Sequence, residues 1–144
     1  MSDKYFVDTN ILMYTHTTGT SARKHARATA LIQELWDSGK GVVSTQVLQE
    51  LCVNVRKKSA DPMSMKDIVE MIRDYEKWEV VQNEVSSVIR ALEIEERYKI
   101  SFWDALILQA AERAGASILY SEDLADGQIY GSVRVVNPLK EPIP

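Results

Sequence analysis

The feature that most constrains this chain is a series of short apolar runs that do not alternate with polar residues and are separated by stretches of helical periodicity. Lys4 to Val7, Val42-Val43, Trp78 to Val81, Ser117 to Tyr120 and Val133 to Val136 read as strands. A strand that is apolar at successive positions is buried on both faces. That pattern belongs to a parallel sheet covered by helices on either side. Helical spacing recurs between the runs, over Asn10 to His16, Ala22 to Ser38, Ser64 to Tyr75, Glu84 to Lys99 and Ser101 to Ala114. A further helix, capped by Ser44 or Thr45, carries the stripe Val47, Leu48, Leu51 and Val55. Ala28, Leu31, Ile32, Leu35 and Trp36 form the stripe of the second helix, and Val88, Ala91, Leu92 and Ile94 that of the fifth. The last helix is apolar nearly all round, as a buried helix is. Gly39, Pro62, Gly115, Gly127 and Pro138 punctuate the pattern. The expectation is a three-layer α/β/α domain whose central, mostly parallel sheet has about five short strands. With no repeat, low-complexity tract or linker, a single domain over residues 1–144 is expected.

Composition narrows the chemistry. Of 144 residues, 45% are hydrophobic and 26% charged, which suits a domain with a real core. No apolar run reaches the ~18 residues of a membrane span, and the opening MSDKYF has no signal-peptide character. A cytoplasmic protein that does not engage a membrane is therefore expected. The single Cys52 excludes an internal disulfide, and His16 and His25 are too few for a His/Cys zinc site. Any metal would be held by oxygen, which points to Mg²⁺, with Mn²⁺ as its substitute. The net charge is −4, from 21 acids against 17 Lys and Arg. That argues against a simple sequence-independent nucleic-acid binder. It leaves room for an enzyme whose acids gather around a cation.

The stretch YFVDTNILMY places Asp8 between two apolar segments. An unpaired carboxylate there would cost several kcal/mol or take up a proton. Sites in parallel sheets form at the carboxyl ends of strands, and Asp8 ends the first one. Glu50, Asp104 and Asp123 fall at comparable edge positions. Each acid has a plainer reading. Asp8 can cap a helix, and Ser101 with Asp104 has the spacing of a capping box. Asp123 is ordinary turn chemistry, and Glu50 can lie exposed on its helix. Their common placement carries the case. Two or three oxygens from separate elements suit Mg²⁺, and without a cation their repulsion should raise at least one pKa. Arg23, Lys24 and Arg27 form one basic cluster, and Arg56, Lys57 and Lys58 another. Either can grip phosphate, although a solvated helix face is the simpler reading. Tyr14 and Trp103 flank the proposed site and offer stacking surfaces, with core packing the plainer role for Trp103.

Four segments together resemble the motifs of PIN-domain nucleases: FVDTNILMY, VSTQVLQELCVN, ISFWDALILQAAERAG and LYSEDLADGQ…VRVVNP. They occur in the family's order and span nearly the whole chain. The chain length and the SEDL end further resemble the VapC group, the toxin ribonucleases of type II toxin–antitoxin pairs. The resemblance implies a divalent-metal-dependent endonuclease acting on RNA, with Asp8, Glu50, Asp104 and Asp123 as its acidic site. Thr9 and Asn10 would support Asp8 or orient water, and Ser121 would help hold Asp123 or the scissile phosphate. Asp8 and Asp104 would bind one ion. Glu50 would bind it through water or act as general base, and Asp123 would complete a second, weaker metal position. Asp126 is the reserve for that last role. A homodimer and a cognate antitoxin partner are also implied, with a groove beside the early helices to accept the antitoxin. The alternative is a PIN-like module that has lost catalysis and serves RNA binding or assembly. A dehalogenase-like phosphatase would need D-x-D-x-T where this chain has Asp8-Thr9-Asn10. A receiver domain would need an acidic pair and a late Lys that are missing here.

Overall fold

A computed structural model describes residues 3–57 and 59–140. The elements run β1 (Tyr5–Val7), α1 (Thr9–His16), α2 (Ala22–Ser38), β2 (Gly41–Ser44), α3 (Thr45–Lys57) and α4 (Met65–Tyr75). They continue with β3 (Glu79–Val81), α5 (Val85–Tyr98), α6 (Phe102–Ala114), β4 (Ile118–Tyr120), β5 (Ile129–Tyr130) and β6 (Val133–Val136). The strands form one sheet in the order β3-β2-β1-β4-β6-β5. All pairings are parallel except that of β5 with β6. The α/β, mostly parallel architecture is the one expected, with six strands among the described residues rather than about five. The additional strand is the two-residue β5, where Ile129 faces Arg134 and Tyr130 faces Val133 across a hairpin. It lies at the sheet edge with Ile129 exposed, so it carries no apolar run to mark it.

Strand order decides where a site can form. The chain steps outward from β1 through β2 to β3, then returns to β4 on the other side of β1. Crossovers between parallel strands are right-handed, so reversing direction puts the later helices on the opposite face. The reversal opens a crevice between the carboxyl ends of β1 and β4. Register aligns those ends, with Val7 beside Tyr120. Asp8 and Ser121 are the next residues of the two strands.

Local chemistry fixes the helices. Ser21, Ser64 and Ser101 each accept a hydrogen bond from the backbone N–H three residues on, at Lys24, Asp67 and Asp104. Gly39 and Gly115 end α2 and α6 in the left-handed region, at φ 70° and 74°. Gly41 is required for a different reason: a Cβ there would lie 2.7 Å from the Trp78 ring. Trp78 belongs to an aromatic cluster with Trp36 and Tyr75, at centroid separations of 5.2 and 5.1 Å. Helix α6 is buried continuously from Ala105 to Ala111 and packs against four strands, with α5 outside it. On α5 the expected apolar stripe divides. Ala91 and Ile94 are buried, whereas Val88 and Leu92 join Val85 and Ile89 on an exposed face. No helix among the described residues is long and apolar enough to cross a membrane.

Candidate functional site

Asp8 follows β1 directly and is the N-cap of α1. Its Oδ1 accepts from the Thr9 backbone N–H at 2.7 Å, and its Oδ2 accepts from the Ser121 hydroxyl at 2.8 Å. The residue is 6% exposed. Burial pushes its carboxyl up to about 7, against the lowering effect of the Ser121 and Thr9 bonds. The charges of Asp123 and Glu50 push in the same direction as burial. The plain reading of Asp8 as a cap therefore describes only one of its two oxygens.

The flanking residues extend the network. Thr9 donates its hydroxyl to Glu50 Oε1 at 3.1 Å. Asn10 donates its amide to Asp123 Oδ2 at 2.9 Å and reaches Asp8 Oδ2 at 3.5 Å. Ser121, wholly buried, also accepts from the Asp123 backbone N–H at 3.2 Å. Glu50 is half-buried on α3, and its carboxyl is raised by burial first, then by the charges of Asp104 and Asp123. Hydrogen bonds from Thr9 and Gln46 act the other way. Asp104 lies in the first turn of α6. The Ser101 cap engages its backbone N–H, while the residue lines the cavity.

One open cavity of about 430 Å³ is lined by Asp8, Glu50, Asp104 and Asp123 together. Thr9 and Asn10 also line it. The reserve acid Asp126 stands elsewhere: its Oδ1 accepts from the Asn137 backbone N–H at 2.8 Å and its Oδ2 pairs with Lys140 at 3.4 Å. Those contacts, the Asn137 bond foremost, hold its carboxyl below the ordinary value. Trp103 is 64% exposed and lines the cavity instead of the core. Its position on the outer side of the first turn of α6 overrides the expectation from its size. Tyr14 shares the cavity wall.

The basic cluster of α2 is less available than its sequence implies. Lys24 Nζ pairs with Glu122 at 2.6 Å. Arg27 Nε donates to the Pro138 carbonyl at 3.3 Å, and Arg23 also has a partner. In the second cluster, Arg56 Nε donates to the Cys52 carbonyl at 3.0 Å, and Lys58 lies outside the described residues. Gln46 and Asn54 line the cavity without having been singled out in the sequence. The signal was there: they sit four residues to either side of Glu50 and share its helix face. Buried Gln46 donates to the Trp103 carbonyl at 3.3 Å, while its own Oε1 has no partner.

The charged donors facing the cavity are all carboxylate oxygens, with no His or Cys among the lining residues, the set preferred by Mg²⁺ and Mn²⁺. Its chemistry fits such an ion, and the upward pressure on Asp8 and Glu50 is what a cation would reverse. Among the described residues, no three His, Cys, Asp or Glu side chains already form a metal-holding group. The acids share a space without closing on one point.

Comparison with known proteins places this geometry. The family model described as PIN domain matches residues 5–125. No curated protein matches the chain. Among solved structures, Mycobacterium tuberculosis VapC20, described as a sarcin–ricin loop cleaving toxin, superposes with a TM-score of 0.63. It is 24% identical, over 83% of this chain and 90% of that one. A toxin–antitoxin complex from Klebsiella pneumoniae gives a TM-score of 0.69 at 18% identity, covering 94% and 98% of the two chains. VapBC2 from Rickettsia felis, bound to a promoter DNA fragment, gives 0.64 at 17% identity, covering 91% and 96%.

Proposed function

Since the chain belongs to the PIN domain family, we propose that it is a divalent-metal-dependent endoribonuclease, the toxin of a toxin–antitoxin pair acting in the cytoplasm. The observation that carries this reading is the buried Asp8, raised to about 7 and facing one cavity with Glu50, Asp104 and Asp123. Burial among like charges costs the ionised carboxyl stability, a cost that a bound cation would offset. Asp8, Asp104 and Asp123 would hold Mg²⁺ or Mn²⁺, which when bound lowers the pKa of its water and offsets charge on a phosphate.

The chain's own residues supply the rest. Thr9 and Ser121 fix the two oxygens of Asp8, so that carboxylate needs no reorientation on loading. Thr9 also holds Glu50, whose raised carboxyl suits it to accept a proton from an attacking water. Asn10 ties Asp123 toward Asp8. Trp103 and Tyr14, both on the cavity wall, offer faces for unstacked bases. An RNA substrate is favoured by the family and by the description of one structural neighbour as a sarcin–ricin loop cleaving toxin. The same descriptions support a cognate antitoxin as protein partner. A homodimer is supported by the exposed stripe Val85, Val88, Ile89 and Leu92, since continuous apolar surface of this kind commonly marks an association face.

The test is incubation with total cellular RNA under Mg²⁺, Mn²⁺ or chelator, beside an Asp104→Asn variant. Discrete cleavage that requires metal, and falls at least ~100-fold in the variant, is expected. Mn²⁺ binding by folded wild-type protein with no cleavage of any RNA would support the non-catalytic module instead.

A further inference from the structure

Glu122 lies between Ser121 and Asp123, yet its carboxylate is bound by the first two helices. Its Oε1 accepts from the Tyr14 hydroxyl at 2.8 Å, and its Oε2 accepts from Lys24 Nζ at 2.6 Å. Lys24 also donates to the Tyr14 hydroxyl at 3.3 Å and lies 5.2 Å from that ring's centroid. Tyr14 is itself tied to α2, its carbonyl 2.7 Å from His25 Nδ1. The backbone of Glu122 is held too, donating its N–H to Asn10 Oδ1 at 3.2 Å. The other end of the Asn10 amide holds Asp123. These contacts converge on the segment that leaves β4, which has no regular structure before β5.

That segment has a physical problem. It must present Asp123 to a cavity that already contains Asp8, Glu50 and Asp104. Like charges repel the loop outward. An ion pair with a shared phenol hydroxyl, anchored on two helices, opposes the drift. We propose that Lys24, Tyr14 and Glu122 form a latch that positions Asp123 at the cavity, so that Lys24 serves as a positioning residue instead of a phosphate grip. The proposal rests on the reading of Asp123 as part of the acidic site.

The experiment compares wild-type protein with Lys24→Met, Glu122→Gln, the double variant and the reversed pair Lys24→Glu/Glu122→Lys. Mn²⁺ binding is followed by electron paramagnetic resonance, and backbone amide exchange over residues 121–128 by mass spectrometry. Affinity for a mixed-sequence single-stranded oligoribonucleotide is measured in chelator. Each single variant should weaken Mn²⁺ binding about five- to tenfold, the scale of one part-buried ion pair with its hydrogen bond. The double variant should be no worse than either single one. The reversed pair should recover part of the loss, exchange should quicken, and oligoribonucleotide affinity should hold. Tyr14→Phe keeps the ring and the Lys24–Glu122 ion pair but removes both hydrogen bonds of the shared hydroxyl, so it reports on the latch if a charged variant fails to fold; a smaller loss is expected.

Unchanged Mn²⁺ binding in both single variants overturns the latch. So does loss of oligoribonucleotide affinity and of its salt dependence in Lys24→Met but not in Glu122→Gln, the signature of a phosphate contact. Wild-type protein that binds Mn²⁺ without cleaving RNA refutes the nuclease reading while the latch is still measured. If wild-type protein binds no Mn²⁺, amide exchange over residues 121–128 that is no faster in Lys24→Met and Glu122→Gln than in wild type overturns the latch.

Discussion

Asp8→Asn is the substitution whose outcome separates a site from a cap. The side chains are isosteric, Asn is also a strong N-cap, and its amide can donate to a Ser121 hydroxyl that rotates to accept. The cap and the Ser121 contact therefore survive, the long Asn10 contact at 3.5 Å is given up, and the change removes one titration. In the native chain the Asp8 carboxyl rises from an ordinary 3.8 to about 7. A raised folded value means that the native state keeps its proton longer than the unfolded chain. The associated stability is full below about pH 4 and is lost as pH rises through 7. At about 1.4 kcal/mol per pH unit, the whole interval amounts to about 4 kcal/mol. Local relaxation reduces that, leaving an expected loss of about 2–4 kcal/mol. The assay is urea denaturation of both proteins in chelator, at about pH 4.5 and about pH 8. The stability of wild-type protein relative to Asp8→Asn should fall by that amount between the two conditions, titrations other than those of Glu50 and Asp123, which are coupled to Asp8, being common to both. Mn²⁺ should then restore wild-type stability at the higher pH and leave the variant unmoved. A difference that stays constant with pH would refute the claim that burial and neighbouring acids load Asp8.

Two further outcomes follow from packing. Gly41→Ala would place a Cβ 2.7 Å from the Trp78 ring, and this overpacking should cost about 1–3 kcal/mol, read as a lowered Tm with altered tryptophan fluorescence. Leu92→Lys, at an exposed position on α5, should leave thermal stability of the subunit within about 0.5 kcal/mol and convert a dimer to monomer in analytical ultracentrifugation. A sedimentation coefficient unchanged from wild type would remove α5 as the association face.

Much of the fold was legible because the strands are apolar at successive positions and the stretches between them carry apolar residues at helical spacing. Ser101 was legible as the cap of α6, whereas the capping of α2 by Ser21 and of α4 by Ser64 emerges only in the structure. The strand β5 was hidden because a two-residue edge pairing depends on its partner β6, not on its own composition. The placement of Asp8, Asp104 and Asp123 around one cavity follows from strand order together with their positions at or just past element ends, and Glu50 joins them from the middle of α3. The role of Lys24 was not legible. A cluster with Arg23 and Arg27 reads as a solvated helix face, or as a grip on phosphate, until the loop bearing Glu122 folds back onto it. Trp103 misled for a similar reason: side-chain size favours burial, but the face of a helix that a residue occupies is set by what packs beneath it.

The bond from Ser121 to Asp8 joins residues 113 positions apart, and that distance is also a delay. A ribosome that has delivered the first hundred residues has delivered Asp8 and Glu50, but not the strand β4 whose end supplies the hydroxyl. Nascent or truncated chains therefore carry individual acids without the arrangement that loads them. The cavity is completed only when a late strand docks beside an early one, the kind of long-range pairing that forms slowly. Whatever chemistry the cavity performs is thereby withheld until synthesis of the fold is nearly finished.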